Sequence, residues 1–226
     1  MKKETNIIFF GAPGAGKGTQ AKKISTSLNL PHIDTGNLIR EAITNKTELG
    51  KKAQSFVESG NLVPDDLVID LIKEKLLELK NLKNGSFNGF ILDGYPRTIP
   101  QADALKGMLK NLSLALPKVI NVQAPENILV NRLSSRRLCT NKTCGAIYNL
   151  ITKKTETENV CDLCGSPLYQ RKDDTEEAAK QRLNEYHNKT APLEKYYRDM
   201  GKSFDVDGTK ALDEVYNEIM KRIGKI

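Results

Sequence analysis

Residues 7–20 read Ile-Ile-Phe-Phe-Gly-Ala-Pro-Gly-Ala-Gly-Lys-Gly-Thr-Gln, and this stretch decides the fold. Four apolar residues predict a buried strand, and a helical pattern follows the glycines to about Leu28. The spacing Gly11-x4-Gly16-Lys17 is typical of a phosphate-binding loop, in which backbone N–H groups and a helix N-terminus face the anion and the lysine reaches the outer phosphates. The alternative is a tight turn followed by a chance lysine. One departure from the common motif is that Gly18 follows Lys17, so the hydroxyl comes one residue later, at Thr19.

The rest of the chain alternates strand and helix patterns, which predicts a parallel α/β sheet. Further strands are predicted at 90–92, 118–122 and 202–206. Helices are predicted at 36–45, 48–58, 65–79, 99–111 and 210–223. A helix opened by Pro125 is expected to carry Arg132 and Arg136 on one face. Another is expected to run from a cap at Asp174 to about Arg198, with an interruption at Pro192.

Length and composition limit the possible classes of protein. A chain of 226 residues and 25.2 kDa suits one compact domain with one or two insertions. The net charge of +7 suits an anionic partner, which at this stage is nucleic acid, a membrane surface or a small phosphorylated molecule. No apolar run approaches the roughly 18 residues of a membrane helix, and the N-terminus has no secretory apolar segment. We therefore expect a cytoplasmic protein.

The four cysteines form two close pairs, and residues 138–170 around them show no helical periodicity. The pattern is Cys139-x4-Cys144 and, after sixteen intervening residues, Cys161-x2-Cys164. This spacing predicts a tetrahedral zinc site, which would be structural because four protein ligands leave no open position. The alternatives are two disulfides, which are rare in the cytosol, or four free thiols.

Several segments together resemble the adenylate kinase family. They are Gly11–Thr19, Asp34–Arg40, Gly60–Val63, Phe90–Gln101, Arg171–Asp174, Gln181–Leu183 and Val206–Lys210, and they occur in the family's order along nearly the whole chain. The resemblance implies a P-loop three-layer α/β fold with a central parallel five-stranded sheet, an AMP-binding helical insert and a zinc-ribbon-like lid. The implied boundaries are 1–34, 64–134 and 175–226 for the core, 35–63 for the AMP-binding segment and 135–174 for the lid.

The resemblance also implies an activity and a set of site residues. The activity is reversible, Mg²⁺-dependent transfer of a phosphoryl group from ATP to AMP, which gives two ADP and serves adenine nucleotide homeostasis. The implied catalytic residues are Lys17, Asp93, Arg97, Arg132, Arg136, Arg171 and Arg182. The implied ATP site comprises Gly14, Ala15, Gly16, Lys17, Gly18, Thr19, Arg136, Ile147, Tyr148 and Lys210. The implied AMP site comprises Thr35, Arg40, Asn61, Leu62, Val63, Gly94, Tyr95, Pro96, Arg97, Gln101, Arg171 and Arg182.

Two of these residues suit their roles on chemical grounds. Asp93 follows an apolar strand, and a carboxylate there suits Mg²⁺ held through water; a turn or cap aspartate is the alternative. The Gln101 amide both donates and accepts hydrogen bonds, as adenine recognition requires. We expect no general base, because phosphate oxygens are already nucleophilic.

Three other functions remain open at this stage. The first is a kinase for UMP, CMP or GMP, or one that uses GTP as the donor. The second is a nucleic-acid-binding protein that uses the cysteine segment, although the basic residues there, Lys142, Lys153 and Lys154, are offset by acidic ones. The third is a P-loop switch protein. Our expectation is a monomer that binds ATP, AMP and ADP and neither nucleic acid nor membrane.

Overall fold

The computed structural model describes residues 4–82 and 87–224, and within them the main sheet has five strands, all parallel. Their order is β2-β3-β1-β4-β8, which places β1 at the centre. The bounds are Thr5–Phe10 (β1), His32–Asp34 (β2), Gly89–Asp93 (β3), Lys118–Gln123 (β4) and Ser203–Asp207 (β8). This confirms the predicted α/β class and five-stranded sheet. Residues 1–3, 83–86 and 225–226 of the predicted core segments lie outside the described residues.

Helices cover both faces of this sheet. Their bounds are Lys17–Leu28 (α1), Thr35–Thr44 (α2), Glu48–Glu58 (α3), Asp65–Leu82 (α4), Ile99–Asn111 (α5), Glu126–Ser134 (α6), Glu176–Glu185 (α7), Pro192–Asp199 (α8) and Leu212–Gly224 (α9). Alternation along β1 explains the three layers. Ile8 and Phe10 join one core cluster with residues of α4 and α5, whereas Ile7 and Phe9 join another with residues of α1 and α9.

Three details of the predicted secondary structure were wrong or missing. Helix α6 ends at Ser134, and Arg136 opens strand β5, so Arg132 and Arg136 do not share a helix face. Helix α7 is capped by Thr175, whose side chain accepts a hydrogen bond from the Ala178 amide, and not by Asp174. The three-residue strand β2 was not predicted, since so short a run carries no clear period.

The predicted interruption near Pro192 is confirmed. Residues Tyr186–Thr190 form a π-helical turn, and Pro192 is the first residue of α8. A proline suits that position because the first helical N–H has no intrahelical partner to lose.

The cysteine segment forms a separate antiparallel sheet in the order β6-β5-β7. Its strands are Arg136–Cys139 (β5), Ile147–Asn149 (β6) and Leu168–Tyr169 (β7). A 3₁₀ turn at Lys172–Asp174 leads back to the main domain. Among the described residues, no helix is both long enough and apolar enough to cross a membrane.

Candidate active site

The phosphate loop lies at the carboxyl end of β1, which is the central strand. Its neighbours β3 and β4 lie on opposite sides, so the strand order reverses there, and open α/β sheets bind their ligands at such points. Gly16 precedes α1 with a φ of 103°, a left-handed conformation that glycine adopts without strain. The loop therefore turns sharply into the N-terminus of a twelve-residue helix, whose first N–H groups have no partner within the helix.

Lys17 folds back across this loop. Its Nζ donates a hydrogen bond to the Ala12 carbonyl at 2.8 Å. Burial lowers the pKa of Lys17 to about 8, the nearby Asp93 carboxylate opposes that effect, and Arg97 adds to it. A lysine in this setting gains an anionic partner readily, because a phosphate would replace the solvation that burial removes.

Three of the predicted arginines contact a pair of aspartates in the 3₁₀ turn, and a fourth lies nearby. Arg136 makes a bidentate pair with Asp174, with 2.8 Å between Nε and Oδ2. Arg182 contacts Asp174 at 3.0 Å and Asp173 at 3.2 Å, and Arg40 lies 3.7 Å from Asp173. Arg171 approaches the same region by donating to Asn37 Oδ1 at 3.2 Å.

Both aspartates are buried, and Asp174 is 0% exposed. Burial alone would raise the pKa of Asp173, but Arg182 and Arg40 hold it below its ordinary value. Burial and, to a smaller extent, the charge of Arg171 lower the pKa of Arg40 to about 10. The two carboxylates thus hold together guanidinium groups that would otherwise repel one another.

A cleft lies beside this cluster, between α2, α3 and the carboxyl end of β3. Nine of the predicted AMP-site residues line it: Thr35, Arg40, Asn61, Leu62, Val63, Gly94, Arg97, Gln101 and Arg182. Three others, Tyr95, Pro96 and Arg171, are not among its lining residues. The Tyr95 side chain is buried, and its hydroxyl donates to the Gln101 carbonyl at 3.1 Å. Tyr95 therefore supports a residue that lines the cleft without lining it itself.

The Gln101 amide is already engaged by the protein. Its Oε1 accepts from the Arg97 amide at 2.8 Å, and its Nε2 donates to Asp65 Oδ1 at 2.7 Å. Each end of an amide has a further hydrogen-bonding position, so one N–H and one lone pair remain for a ligand. Arg97 in turn donates from Nε to the Gly94 carbonyl at 2.8 Å. These bonds fix the orientation of both side chains before any ligand arrives.

Asp93 lies at the carboxyl end of β3, next to the phosphate loop. A Cβ built on Gly18 would lie 3.1 Å from its Oδ2, so the carboxylate borders the start of α1. Burial would raise the pKa of Asp93, but His32 and the charge of Lys17 keep it below its ordinary value. A buried, ionised carboxylate beside a phosphate loop fits the donor chemistry of a magnesium site.

One predicted catalytic arginine and several predicted ATP-site residues make contacts elsewhere. Arg132 donates to the Gly208 carbonyl at 2.9 Å, which holds the loop before Lys210 against the phosphate loop. Lys210 is exposed and pairs with Glu218 at 3.1 Å. The Tyr148 ring is buried inside the cysteine sheet, and its hydroxyl lies 3.5 Å from Cys161 Sγ. The side chain of Tyr148 is therefore not directed at the phosphate loop, and Ile147 lies beside it on β6.

The four cysteines come together in the small sheet. All four sulfur atoms lie within 4.8 Å of one another, and the pairs Cys139–Cys164 and Cys144–Cys161 are 3.4 and 3.8 Å apart. Ligands about 2.3 Å from a tetrahedral zinc would be about 3.8 Å apart. The four-residue gap in the first pair is accommodated by Asn141, whose Oδ1 accepts from the amides of Thr143 and Cys144.

Asp173, Asp174 and Asn37 are site residues that the sequence interpretation missed. The segment Arg171–Asp174 was assigned through its arginine, although two adjacent carboxylates before a helix also suggested a cap. Only the fold shows that these carboxylates face the arginines. Asp65, which binds Gln101 and Thr98, was likewise assigned only to the start of a helix.

Comparison with known proteins agrees with this geometry. The family model described as "Adenylate kinase" matches residues 9–202. The chain is 49% identical over 221 residues to an adenylate kinase of Archaeoglobus fulgidus, covering 98% of this chain and 99% of that protein. It is 43% identical over 218 residues to an adenylate kinase of Caldicellulosiruptor saccharolyticus, covering 96% of this chain and 98% of that protein. It is 46% identical, with the same coverage of both chains, to an adenylate kinase of Kosmotoga olearia. On these grounds the chain belongs to the adenylate kinase family.

Proposed function

We propose that this protein catalyses the reversible, Mg²⁺-dependent transfer of a phosphoryl group from ATP to AMP, giving two ADP, and so contributes to adenine nucleotide homeostasis. The observation that carries the proposal is the position of the arginine cluster. Arg40 and Arg182 line the cleft together with Thr35, Gln101 and the 61–63 segment, and the charges of Arg136 and Arg182 also lower the pKa of Lys17 in the phosphate loop. Two anionic nucleotides bound on the two sides of this cluster would present their phosphates to the same set of guanidinium groups.

On the donor side, residues 14–19 and Lys17 would hold the ATP phosphates. Arg132, Arg136, Arg171 and Arg182 would stabilise the charge that develops during transfer. Asp174 already orients Arg136 and Arg182, so these guanidinium groups need little reorganisation when the substrate binds. Ile147, Tyr148 and Lys210 remain the proposed contacts to the rest of ATP.

On the acceptor side, Arg40 and Arg97 would bind the AMP phosphate, and the free positions of the Gln101 amide would recognise adenine. Backbone and apolar groups of residues 61–63 complete this cleft. Transfer between phosphates needs no general base, so the protein's contribution is positioning, charge stabilisation and exclusion of water.

Contacts between segments support closure over the substrates. Lys172 pairs with Glu58 at 3.0 Å and Arg171 donates to Asn37, which joins the proposed lid (135–174) to the proposed AMP-binding segment (35–63). These boundaries are part of the proposal. We expect both segments to exclude water, so that ATP hydrolysis without AMP is far slower than transfer.

Bound Mg²⁺ would neutralise phosphate charge, and Asp93 is the residue proposed to hold it through water. Zn²⁺ is proposed for the four cysteines of the lid, where its role is structural. The Tyr148 hydroxyl lies beside Cys161 and accepts a hydrogen bond from the Asp162 amide at 3.0 Å. It would therefore fix one zinc ligand in place.

The decisive experiment is a coupled assay of ADP formation with ATP and each of AMP, UMP, CMP and GMP, repeated with GTP as donor. We expect AMP and ATP to be strongly preferred. Faster turnover with another monophosphate would refute the acceptor assignment, and hydrolysis at the transfer rate without any acceptor would refute the closure argument. Metal analysis of the purified protein should give about one zinc per chain.

We also propose that the protein works as a monomer in the cytoplasm and binds no nucleic acid. Its basic charge would then be explained by the phosphate site. A gel shift with random DNA or RNA at low salt tests this directly, because a shift that weakens with salt would indicate a nucleic-acid surface. Sedimentation at micromolar concentration tests the oligomeric state.

A further inference from the structure

Asp65 bonds to the Gln101 amide but is not among the residues that line the cleft. It is half-buried at the first position of α4. Its Oδ1 accepts a hydrogen bond from Gln101 Nε2 at 2.7 Å, and its Oδ2 accepts one from the Thr98 hydroxyl at 2.8 Å. Thr98 in turn caps α5, since its side chain accepts from the Gln101 amide N–H. The carboxylate therefore connects the start of α4 to the first turn of α5.

The partners of the Gln101 side chain determine which end of its amide is oxygen and which is nitrogen. The backbone N–H of Arg97 can only donate, so it faces Oε1, at 2.8 Å. An ionised carboxylate can only accept, so Asp65 faces Nε2. Turning the amide over would place a donor against a donor at one end and an acceptor against an acceptor at the other. Asp65 contributes more to this preference than Arg97 does, because hydrogen bonds to charged groups are the stronger ones.

The remaining positions of this amide are the ones that a base in the cleft would meet. Gln101 is buried and lines the cleft, with one N–H and one lone pair left over. Adenine has an amino donor on C6 and an acceptor at N1, which match Oε1 and Nε2 of the fixed amide. Hypoxanthine, the base of inosine monophosphate (IMP), has the reverse pattern, with an acceptor oxygen on C6 and a proton on N1. It would therefore fit only the turned amide.

We propose that Asp65 is a positioning residue for base selection, which keeps Gln101 in the orientation that binds adenine and rejects hypoxanthine. The proposal rests on the proposed function, which makes this cleft the AMP site. Asp65 acts through Gln101 and touches no substrate itself. Its essential property is that both of its oxygens can only accept, so that the amide loses a strong hydrogen bond when it turns over.

Asp65→Asn tests this property, because asparagine has nearly the same shape but can donate as well as accept. An asparagine could bond to Gln101 in either orientation, so the selection would depend on the Arg97 amide alone. The affinities for AMP and IMP are measured by calorimetry in the absence of ATP. We expect the ratio of the AMP affinity to the IMP affinity to fall at least about tenfold from that of the unchanged protein.

Two further variants separate base selection from a structural role. Asp66→Asn is the matched control, because it removes the same charge from the same turn of α4 at an exposed position, and it should leave the ratio unchanged. Asp65→Ala admits water, which can donate or accept, and should lower the ratio as Asp65→Asn does. A purely structural role for Asp65 would weaken the binding of both nucleotides together and leave their ratio unchanged. Circular dichroism confirms that each variant is folded.

Turnover with ATP gives a second readout. The ratio of kcat/KM for AMP to that for IMP should fall in Asp65→Asn as the affinity ratio does. The change should be in KM, because Gln101 would contact the base and not the reacting phosphates.

The outcomes separate the two proposals. The assignment of Asp65 is overturned if the unchanged protein binds AMP and IMP equally, if neither Asp65 variant lowers the affinity ratio, or if Asp66→Asn lowers it as much. If that happens while the protein forms ADP from ATP and AMP, the proposed function stands. If the affinity ratio falls as expected but no ADP forms from ATP and AMP, the assignment of Asp65 stands and the proposed reaction fails.

Discussion

The pair of buried aspartates predicts a large and specific stability effect at Asp174. This carboxylate is 0% exposed and bonds to both Arg136 and Arg182, whose side chains are 20% and 17% exposed. The substitution Asp174→Asn keeps the shape but replaces one oxygen with an NH₂ group. Arg136 contacts both carboxylate oxygens, so in either amide orientation a donor would face a donor.

The magnitude follows from the loss of a buried ionic partner. Removing one member of a buried pair costs about 3–5 kcal/mol. Because both arginines retain some contact with solvent, we place Asp174→Asn at the lower end, about 3 kcal/mol. For a chain of this size, that corresponds to a fall in Tm of roughly 6–12 °C. The catalytic rate should fall as well, since two guanidinium groups lose their orientation.

The assay is urea and thermal unfolding of nucleotide-free protein, followed by circular dichroism. Asp199→Asn is the matched control, because Asp199 is 58% exposed and pairs with Lys195 at 2.6 Å one helical turn away. Such exposed pairs contribute about 0.5 kcal/mol. If Asp174→Asn were destabilised by less than about 1 kcal/mol, or no more than Asp199→Asn, the argument that Asp174 holds the arginines together would be refuted.

Three further predictions concern catalysis and the lid. Arg97→Ala should lower kcat/KM by roughly 10³-fold or more, as removing an arginine finger does. The control Arg198→Ala, on the exposed face of α8, should leave kcat/KM unchanged. A loss below about tenfold for Arg97→Ala would mean that Arg97 is misassigned. Because Lys17 has a pKa of about 8 in the free protein, kcat/KM for ATP should fall as the pH rises through 8; a flat profile from pH 7 to 9.5 would contradict this. Chelation of zinc should lower the Tm while folded apoprotein keeps its turnover, and complete loss of catalysis with an intact fold would show that the metal enters the chemistry.

Local patterns in the sequence were sufficient for the phosphate loop, the main helices and the cysteine pairs. Each depends on neighbours in the chain: the Gly11–Lys17 spacing, the apolar period and the two short Cys–Cys gaps. The resemblance added the acceptor residues, most of which now line one cleft. What it implied for the roles of these residues stays a prediction.

Other features depend on tertiary contacts that no local pattern encodes. Arg136 was assigned to the helix that carries Arg132, yet the residue pairs in register with Asn149 of β6 instead. Asp174 has the sequence context of a helix cap, but its carboxylate bonds to Arg136, 38 positions earlier in the chain. Thr175 caps the helix instead. Burial determines which of its two possible partners such a carboxylate bonds to. Leaving a buried arginine unpaired costs more free energy than moving the helix cap to the next residue.

The same competition explains how a protein without bound nucleotide can hold several arginines close together. Neighbouring guanidinium groups repel one another, and the repulsion from Arg171 lowers the pKa of Arg40. Asp173 and Asp174 supply two negative charges at the position where, in the proposed reaction, the substrate phosphates would bind. On the proposed function, substrate binding would replace these carboxylates by phosphates as partners of arginines that are already assembled. Part of the +7 net charge is therefore concentrated in one cluster of arginines, whose partners in the free protein are carboxylates and, on the proposed function, would be phosphates in the complex.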